Sequence, residues 1–181
     1  MDALGMVELN SISQGILAAD AILKAANVSI VKAQPVCPGK YVVIVNGSVA
    51  DVKSAVEAGS EAAQEHLLDS MIIPRVHDDV IRAMSGCVDL EGVEALGVIE
   101  TYSLPQALIS ADAAAKAADV ALMEVRLATG LGGKSFVLLT GSVSAAKAAV
   151  EAGVAERGND GLVVSSVVIP SPHPELKDAI Q

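Results

Sequence analysis

The chain is one unit written twice. Ala3-Leu4-Gly5-Met6-Val7-Glu8 recurs as Ala95-Leu96-Gly97-Val98-Ile99-Glu100. Ala19-Asp20-Ala21 with Lys24-Ala25-Ala26 recurs as Ala111-Asp112-Ala113 with Lys116-Ala117-Ala118. Gly47-Ser48-Val49 returns as Gly141-Ser142-Val143, and Val56-Glu57-Ala58-Gly59 as Val150-Glu151-Ala152-Gly153. Ile73-Pro74 and His77 return as Ile169-Pro170 and His173. The offset between matched residues begins at 92, becomes 94 after a Gly-Lys turn and reaches 96 at Ile169. Both length changes fall in expected loops, where insertions are tolerated. A repeat period of roughly 90 residues is too long for a solenoid and predicts two domains, at 1–88 and 89–181. The join from Ser85 to Glu94 is polar and holds Gly86 and Gly92, a linker composition. Cys87 lies in it and reads as a linker residue.

Within one unit the expected order is β-α-β-β-α-β with a helical tail. Gly5 to Leu9 reads as a strand. Ser11-Ile12-Ser13-Gln14 matches a capping box, and Ser103-Leu104-Pro105-Gln106 repeats it. Pro105 suits a first helical turn, where no amide partner is needed. The first helix is expected to run to about Asn27, with Ile12, Ile16, Ala19, Leu23 and Ala26 on one face. Val28 to Ala33 and Tyr41 to Val45 read as strands. Ser48 caps a second helix, with Val52, Ala55, Val56 and Gly59 inward. Leu67 to Ile73 gives a fourth strand, and Asp78 to Met84 a short closing helix. This is the split βαβ, ferredoxin-like arrangement of the α/β (α+β) class: an antiparallel sheet with helices on one face. Two tandem copies give two such sheets.

Composition narrows what such a chain can do. Apolar residues make up 52% but aromatics only 2%, with no Trp. The core is therefore aliphatic, which weighs against a deep pocket lined by aromatics. A net charge of −10 argues against nucleic acid as a partner, which wants a basic face. It also argues against a polybasic membrane anchor. Met1-Asp2-Ala3-Leu4-Gly5 lacks the basic and apolar regions of a signal peptide. No charge-free apolar stretch reaches the length of a membrane span. Two cysteines are too few for a disulfide framework and fit a reducing compartment.

The candidate site is a pair of turns. Val36-Cys37-Pro38-Gly39-Lys40 in the first copy corresponds to Gly130-Leu131-Gly132-Gly133-Lys134 in the second. Each joins two sequential antiparallel strands, so each projects from one end of its sheet. Only the first carries a thiol. Lys40 and Lys134 either set positive charge near the turn or simply solvate it. Glu8 and Glu100 match inside the first strand of each copy, but no nucleophile stands beside them, so acid–base catalysis has little support. His77 and His173 follow Ile-Pro in equivalent turns and read as structural or interface residues. His66 has no counterpart and reads as a surface residue. Tyr41 and Phe136 belong to the strands.

These residues together resemble the bacterial microcompartment shell domain. The carriers are Leu4-Gly5-Met6-Val7-Glu8, Asp20-Ala21 through Lys24-Ala25-Ala26, Pro38-Gly39-Lys40, Gly47-Ser48-Val49, and Ile73-Pro74-Arg75 with His77. Two copies in unpermuted strand order resemble the tandem-domain trimeric shell proteins. The Cys-Pro-Gly-Lys turn is similar to that of the iron–sulfur-bearing shell proteins of propanediol-utilisation compartments. The resemblance implies a homotrimer: three chains forming a flat pseudohexamer with a central pore. It further implies edge-to-edge tiling with other shell proteins around a cytoplasmic compartment, encapsulated redox enzymes being possible partners. Lys24 and Lys116 would lie at the plate edge, joined by Arg75. The second copy has Ser171 where the first has Arg75, a departure at that edge.

The resemblance places both turns at the pore rim. One cysteine cannot hold an iron–sulfur cluster, which takes four ligands as a rule. Three copies of Cys37 around a threefold axis would offer three thiolates to a 4Fe-4S cluster, the last iron taking water or a small molecule. Amides around the Pro-Gly turn would be free to hydrogen-bond its sulfurs. Such a cluster implies electron transfer across the shell. Zn would accept the same thiolates and a water. The plain alternative is a metal-free pore for metabolite passage, narrowed by a small cysteine. A different class, a tandem ferredoxin-like module binding an effector, fits the same composition. An enzyme lacks any assembled set of catalytic groups.

Overall fold

The computed structural model describes residues 3–86, 92–156 and 162–180. Cys87 and the expected 88/89 boundary lie outside the described residues. The first copy contains β1 (Ala3–Leu9), α1 (Ile12–Ala25), β2 (Ser29–Val36), β3 (Lys40–Gly47), α2 (Val49–Ala63) and β4 (Leu67–Ile73). Its tail is α3 (Asp78–Ser85). The second contains β5 (Ala95–Thr101), α4 (Leu104–Ala117), β6 (Val120–Leu127), β7 (Ser135–Gly141), α5 (Val143–Ala155) and β8 (Val163–Pro170), with α6 (Pro174–Ala179) as its tail. The strand orders are β2-β3-β1-β4 and β6-β7-β5-β8. All pairings are antiparallel. This is the ferredoxin-like arrangement expected for each copy.

Local signals set the elements. The Ser11 and Ser103 side chains accept from the amides of Gln14 and Gln106, and Ser48 and Ser142 cap α2 and α5 in the same way. A capping hydroxyl satisfies an amide that the first helical turn leaves without a partner. In the first copy both helices lie on one face of the sheet, over Val7, Leu9, Tyr41, Val43 and Val45. Val7, Leu9, Val43 and Ile22 are fully or almost fully buried, each contributing about 1.5–3 kcal/mol of hydrophobic stabilisation. The aliphatic core works because the layers approach closely. A Cβ on Gly5 would lie 2.6 Å from Val52, and one on Gly59 2.6 Å from Ile22.

Two expectations need correction. The stripe Ile12, Ile16, Leu23 does not face the core: these side chains are exposed, and α1 buries Gly15, Ala18, Ala19 and Ile22 instead. Small residues win the inward position because they let the helix sit close to the sheet. The other correction concerns α3, which does not close the first copy. By internal packing the chain divides into compact units of residues 1–76 and 77–181. α3 lies against β6 and α4, and the His77 amide donates to Asp112 Oδ1 at 2.8 Å. Beneath the second sheet, Leu96, Met123 and Leu138 form a separate cluster against which Val98, Ile169 and Ile180 pack.

Candidate functional site

Register places each turn at a defined end of its sheet. Leu9 pairs with Tyr41, and Val36 with Lys40, so the Cys37–Gly39 turn stands at the end where β1 finishes. The Leu127–Ser135 pairing puts the second turn at the corresponding end of its own sheet, beside Thr101. Lys24 lies near the far end of α1, and Arg75 follows Ile73, which pairs with Leu4 at the far end of β1. Lys116 and Ser171 hold the same far end in the second copy. Strands of 7 residues at 3.3 Å per residue separate the two ends by roughly 20 Å. Each unit thus has a turn end and an edge end, and the sequence-derived site residues sort between them.

The first turn is short. The Gly39 amide donates to the Val36 carbonyl at 3.0 Å, and Cys37-Pro38 is a cis peptide. Gly39 has a φ of 82° with open space around its Cα, a backbone region that favours glycine. Cys37 is a half-buried free thiol, while Pro38 and Gly39 are exposed. The expectation of free amides around the Pro-Gly turn is narrowed here. Proline has no N–H, and that of Gly39 is used to close the turn.

The second turn is longer and differently fastened. Gly130, Gly132 and Gly133 all have positive φ, as does Ala128. The Ala128 amide donates to Ser135 Oγ at 3.2 Å, and the Lys134 amide to the Leu131 carbonyl at 3.2 Å. Thr101 Oγ1 donates to the Ser103 and Ser135 carbonyls. No thiol stands in this turn.

Both lysines are tied down, which the sequence left open. Lys40 Nζ meets Glu8 Oε1 at 3.0 Å, and Lys134 Nζ meets Glu100 Oε1 at 2.6 Å. Glu8 and Glu100 are therefore the lysines' partners. The first pair is far less exposed than the second: 5% of the Glu8 side chain is accessible against 34% for Glu100. The Lys134 ammonium is held above the ordinary lysine value, first by its hydrogen bond to Glu100 and then by that carboxylate's charge. The recurrence of a glutamate inside an otherwise apolar first strand was the available sequence signal.

The remaining candidates are structural or lie elsewhere. His77 and His173 cap α3 and α6, each ring Nδ1 accepting from an amide two residues on at 3.3 Å. His66 Nδ1 bonds Asn10 Oδ1 at 2.8 Å on the surface. Lys24 and Lys116 pair with Asp20 and Asp112 one helical turn earlier, both at 2.5 Å. Arg75 and Ser171 share a left-handed backbone, with φ of 53° and 48°. Among the described residues no group of three or more His, Cys, Asp or Glu side chains is placed to hold a metal within one chain. No helix is long and apolar enough to cross a membrane.

Comparison with known proteins gives one answer for both copies. The BMC domain model matches residues 3–76 and again 95–172. The chain is 38% identical to the bacterial microcompartment shell protein PduT of Citrobacter freundii, over 96% of this chain and 95% of that one. It is 43% identical to the shell protein PduA of the same organism over 44% of this chain and 87% of that shorter one. The crystal structure of a microcompartment protein from Desulfitobacterium hafniense superposes with a TM-score of 0.95 at 49% identity, covering 98% of this chain and 99% of that one. With the domain present twice, each time as the four-stranded sheet described above, the chain belongs to the BMC-domain family of bacterial microcompartment shell proteins.

Proposed function

We propose that three copies of this chain form a pseudohexameric shell tile with the turn ends at a central pore, where Cys37 binds an iron–sulfur cluster. The role in the shell is structural rather than enzymatic. The observation that carries the reading is the sorting of site residues. In each unit the Gly-Lys turn occupies one end of the sheet, and Lys24, Arg75 or Lys116 occupies the other. A tile with a pore and tiling edges needs those two groups apart. The likeness to PduT over nearly the whole of both chains supports the same architecture.

The donor set fits a cluster shared by three chains. Each chain brings one free, half-exposed thiol at the tip of a short turn. Three such thiolates leave one iron of a 4Fe-4S cluster for an exogenous ligand. When bound, the cluster would supply one-electron transfer across the shell. Encapsulated redox enzymes are the matching donors or acceptors. The chain's own contribution is to hold the Cys37 turn closed through the Gly39 amide and to keep Lys40 paired with Glu8.

The test is anaerobic purification, with iron and sulfide analysis and a mass measurement. The expected result is a trimer with brown absorbance near about 400 nm from thiolate–iron charge transfer, lost in Cys37→Ser. Retained iron and colour in Cys37→Ser would remove the proposed ligand. A colourless trimer would favour a metal-free pore for metabolites, and bound Zn the tetrahedral alternative. A monomer or dimer would sink the tile reading and favour an effector-binding module.

A further inference from the structure

The Glu8–Lys40 pair is deep only where the thiol stands. Its glutamate side chain is 5% exposed, against 34% for Glu100 beside the turn without a cysteine. Burying an ion pair gains little stability over an apolar pair of similar volume. Stability alone therefore does not account for a carboxylate between Val7 and Leu9, both fully buried. Its position does set it apart. Lys40 pairs with Val36, so it stands at the base of the turn whose next residue is Cys37. Paired residues of neighbouring strands have Cα atoms at most about 5.5 Å apart, and one peptide adds about 3.8 Å. The Cα atoms of Cys37 and Lys40 are therefore within about 9 Å of each other. A lysine stem is long and flexible enough to sweep much of that distance.

Glu8 sets the direction in which Lys40 reaches. The strand order is β2-β3-β1-β4, with Val36 on β2, Lys40 on β3 and Glu8 on β1. The 3.0 Å contact with Glu8 Oε1 draws the ammonium toward β1, away from the strand that leads into Cys37. Asp69 stands opposite Glu8 on β4 and adds negative charge on that same side.

We propose that Glu8 is a positioning residue for the Cys37 site: it holds the Lys40 ammonium off the thiol and cancels its charge at the turn. The inference rests on the reading of Cys37 as the ligand of a cluster shared by three chains, and deepens it. A reduced cluster carries one more negative charge than an oxidised one. Positive charge nearby therefore favours the reduced form and raises the potential. Three released lysines would act together, one from each copy. Glu8 thereby keeps the potential low. When no cluster is bound, the same carboxylate limits the attraction of anions to the thiol.

The test uses the full chain with Cys87→Ser, which leaves Cys37 as the one thiol. Cluster-free protein is treated at a single pH with two methanethiosulfonates of similar size, one anionic (sulfonatoethyl) and one cationic (trimethylammonioethyl). The Cys37 thiolate attacks the reagent's sulfenyl sulfur, a mixed disulfide forms and methanesulfinate leaves. Both reagents need the thiolate, so the ratio of their rates reads local charge and not the ionised fraction. Glu8→Gln is expected to raise the anionic-to-cationic ratio roughly threefold at low salt, and distinctly less at high salt. Glu8→Gln with Lys40→Met removes both charges and is expected to bring the ratio back. Mere damage to the turn would carry the double variant further from wild type. On cluster-loaded protein, titrated anaerobically with dithionite as electron donor, the midpoint is expected at more positive potential in Glu8→Gln. It should return in the double variant. A ratio that Glu8→Gln leaves unchanged, or that the double variant fails to restore, overturns the role of Glu8 while the cluster reading stands. So does a bound cluster whose potential ignores both substitutions. Wild-type protein that binds no iron overturns the cluster reading, and the labelling ratio then decides the role of Glu8 by itself.

Discussion

The first and second copies share a frame and fill it with different residues. In the first copy the Tyr41 ring lies over Gly15, so closely that a Cβ there would meet it. The matching residues of the second copy are Ser135 and Ala107, both buried. One copy fills the space with a ring from β3. The other takes a smaller residue and spends its hydroxyl on the longer turn, where Ser135 Oγ accepts from the Ala128 amide. The helix pairs differ in the same way. α1 and α2 meet through Ile22 and Gly59, whereas Ser110 of α4 donates to the Gly153 carbonyl at 2.7 Å and accepts from Gln106. Duplicated units keep the backbone and trade residues in coupled sets.

That coupling can be broken. Tyr41→Ser, which installs the second copy's residue in the first, is expected to cost about 3–5 kcal/mol, because most of a buried ring is deleted over a glycine. Gly15→Ala alone is expected to cost about 1–3 kcal/mol by overpacking against the ring. Placed together they recreate the second copy's pair, and the double variant should be more stable than Tyr41→Ser alone. Denaturant unfolding of the four proteins measures the coupling. Additive costs would show that the two positions are filled independently.

The Glu–Lys pairs offer a second contrast, at smaller magnitude. Glu8 is almost completely buried while Glu100 is about a third exposed. Glu8→Gln leaves the Lys40 ammonium with a weaker partner and is expected to cost about 1–3 kcal/mol. Glu100→Gln should cost distinctly less, since water already screens that pair. Equal losses in denaturant unfolding would mean that burial does not set the strength of these pairs.

Most of the frame was legible because it is written in local signals. The serine caps, the apolar strands and the inward set Val52, Ala55, Val56 and Gly59 of α2 all stand where the periodicity put them. The inward face of α1 was not legible. Ile12, Ile16 and Leu23 have core-like spacing, and spacing alone cannot separate a face turned to the core from an exposed one. The place of α3 was hidden for a related reason: its burial depends on β6 and Asp112, far along the chain. Glu8 and Lys40 were each visible, but their pairing required the register that sets Glu8 opposite Val42. The Cys37 turn was legible as a turn at the sheet end, whereas the use of its Gly39 amide appeared only in the fold.

The smallest expected effect separates the two lysines by pH. Lys134 is held above the ordinary lysine value, chiefly by the hydrogen bond from its ammonium to Glu100, with the carboxylate's charge adding to it and slight desolvation opposing it. A group whose pKa is raised on folding binds its proton more tightly in the folded chain. Its contribution to stability is therefore fully present below the unfolded lysine value of about 10.4, and is lost as pH rises through the higher folded value. The loss lies entirely on the alkaline side, so at neutral and mildly acidic pH the contribution is constant and this group adds no pH dependence to stability. Because the pair is exposed, salt should weaken it further. Nitrogen-15 NMR titration of the Lys134 ammonium is expected to give a midpoint above that of the same group in Glu100→Gln. Coincident midpoints would mean that this salt bridge does not persist in solution, and the second turn would then be fastened by Ser135, Thr101 and the backbone hydrogen bond from Lys134 to Leu131.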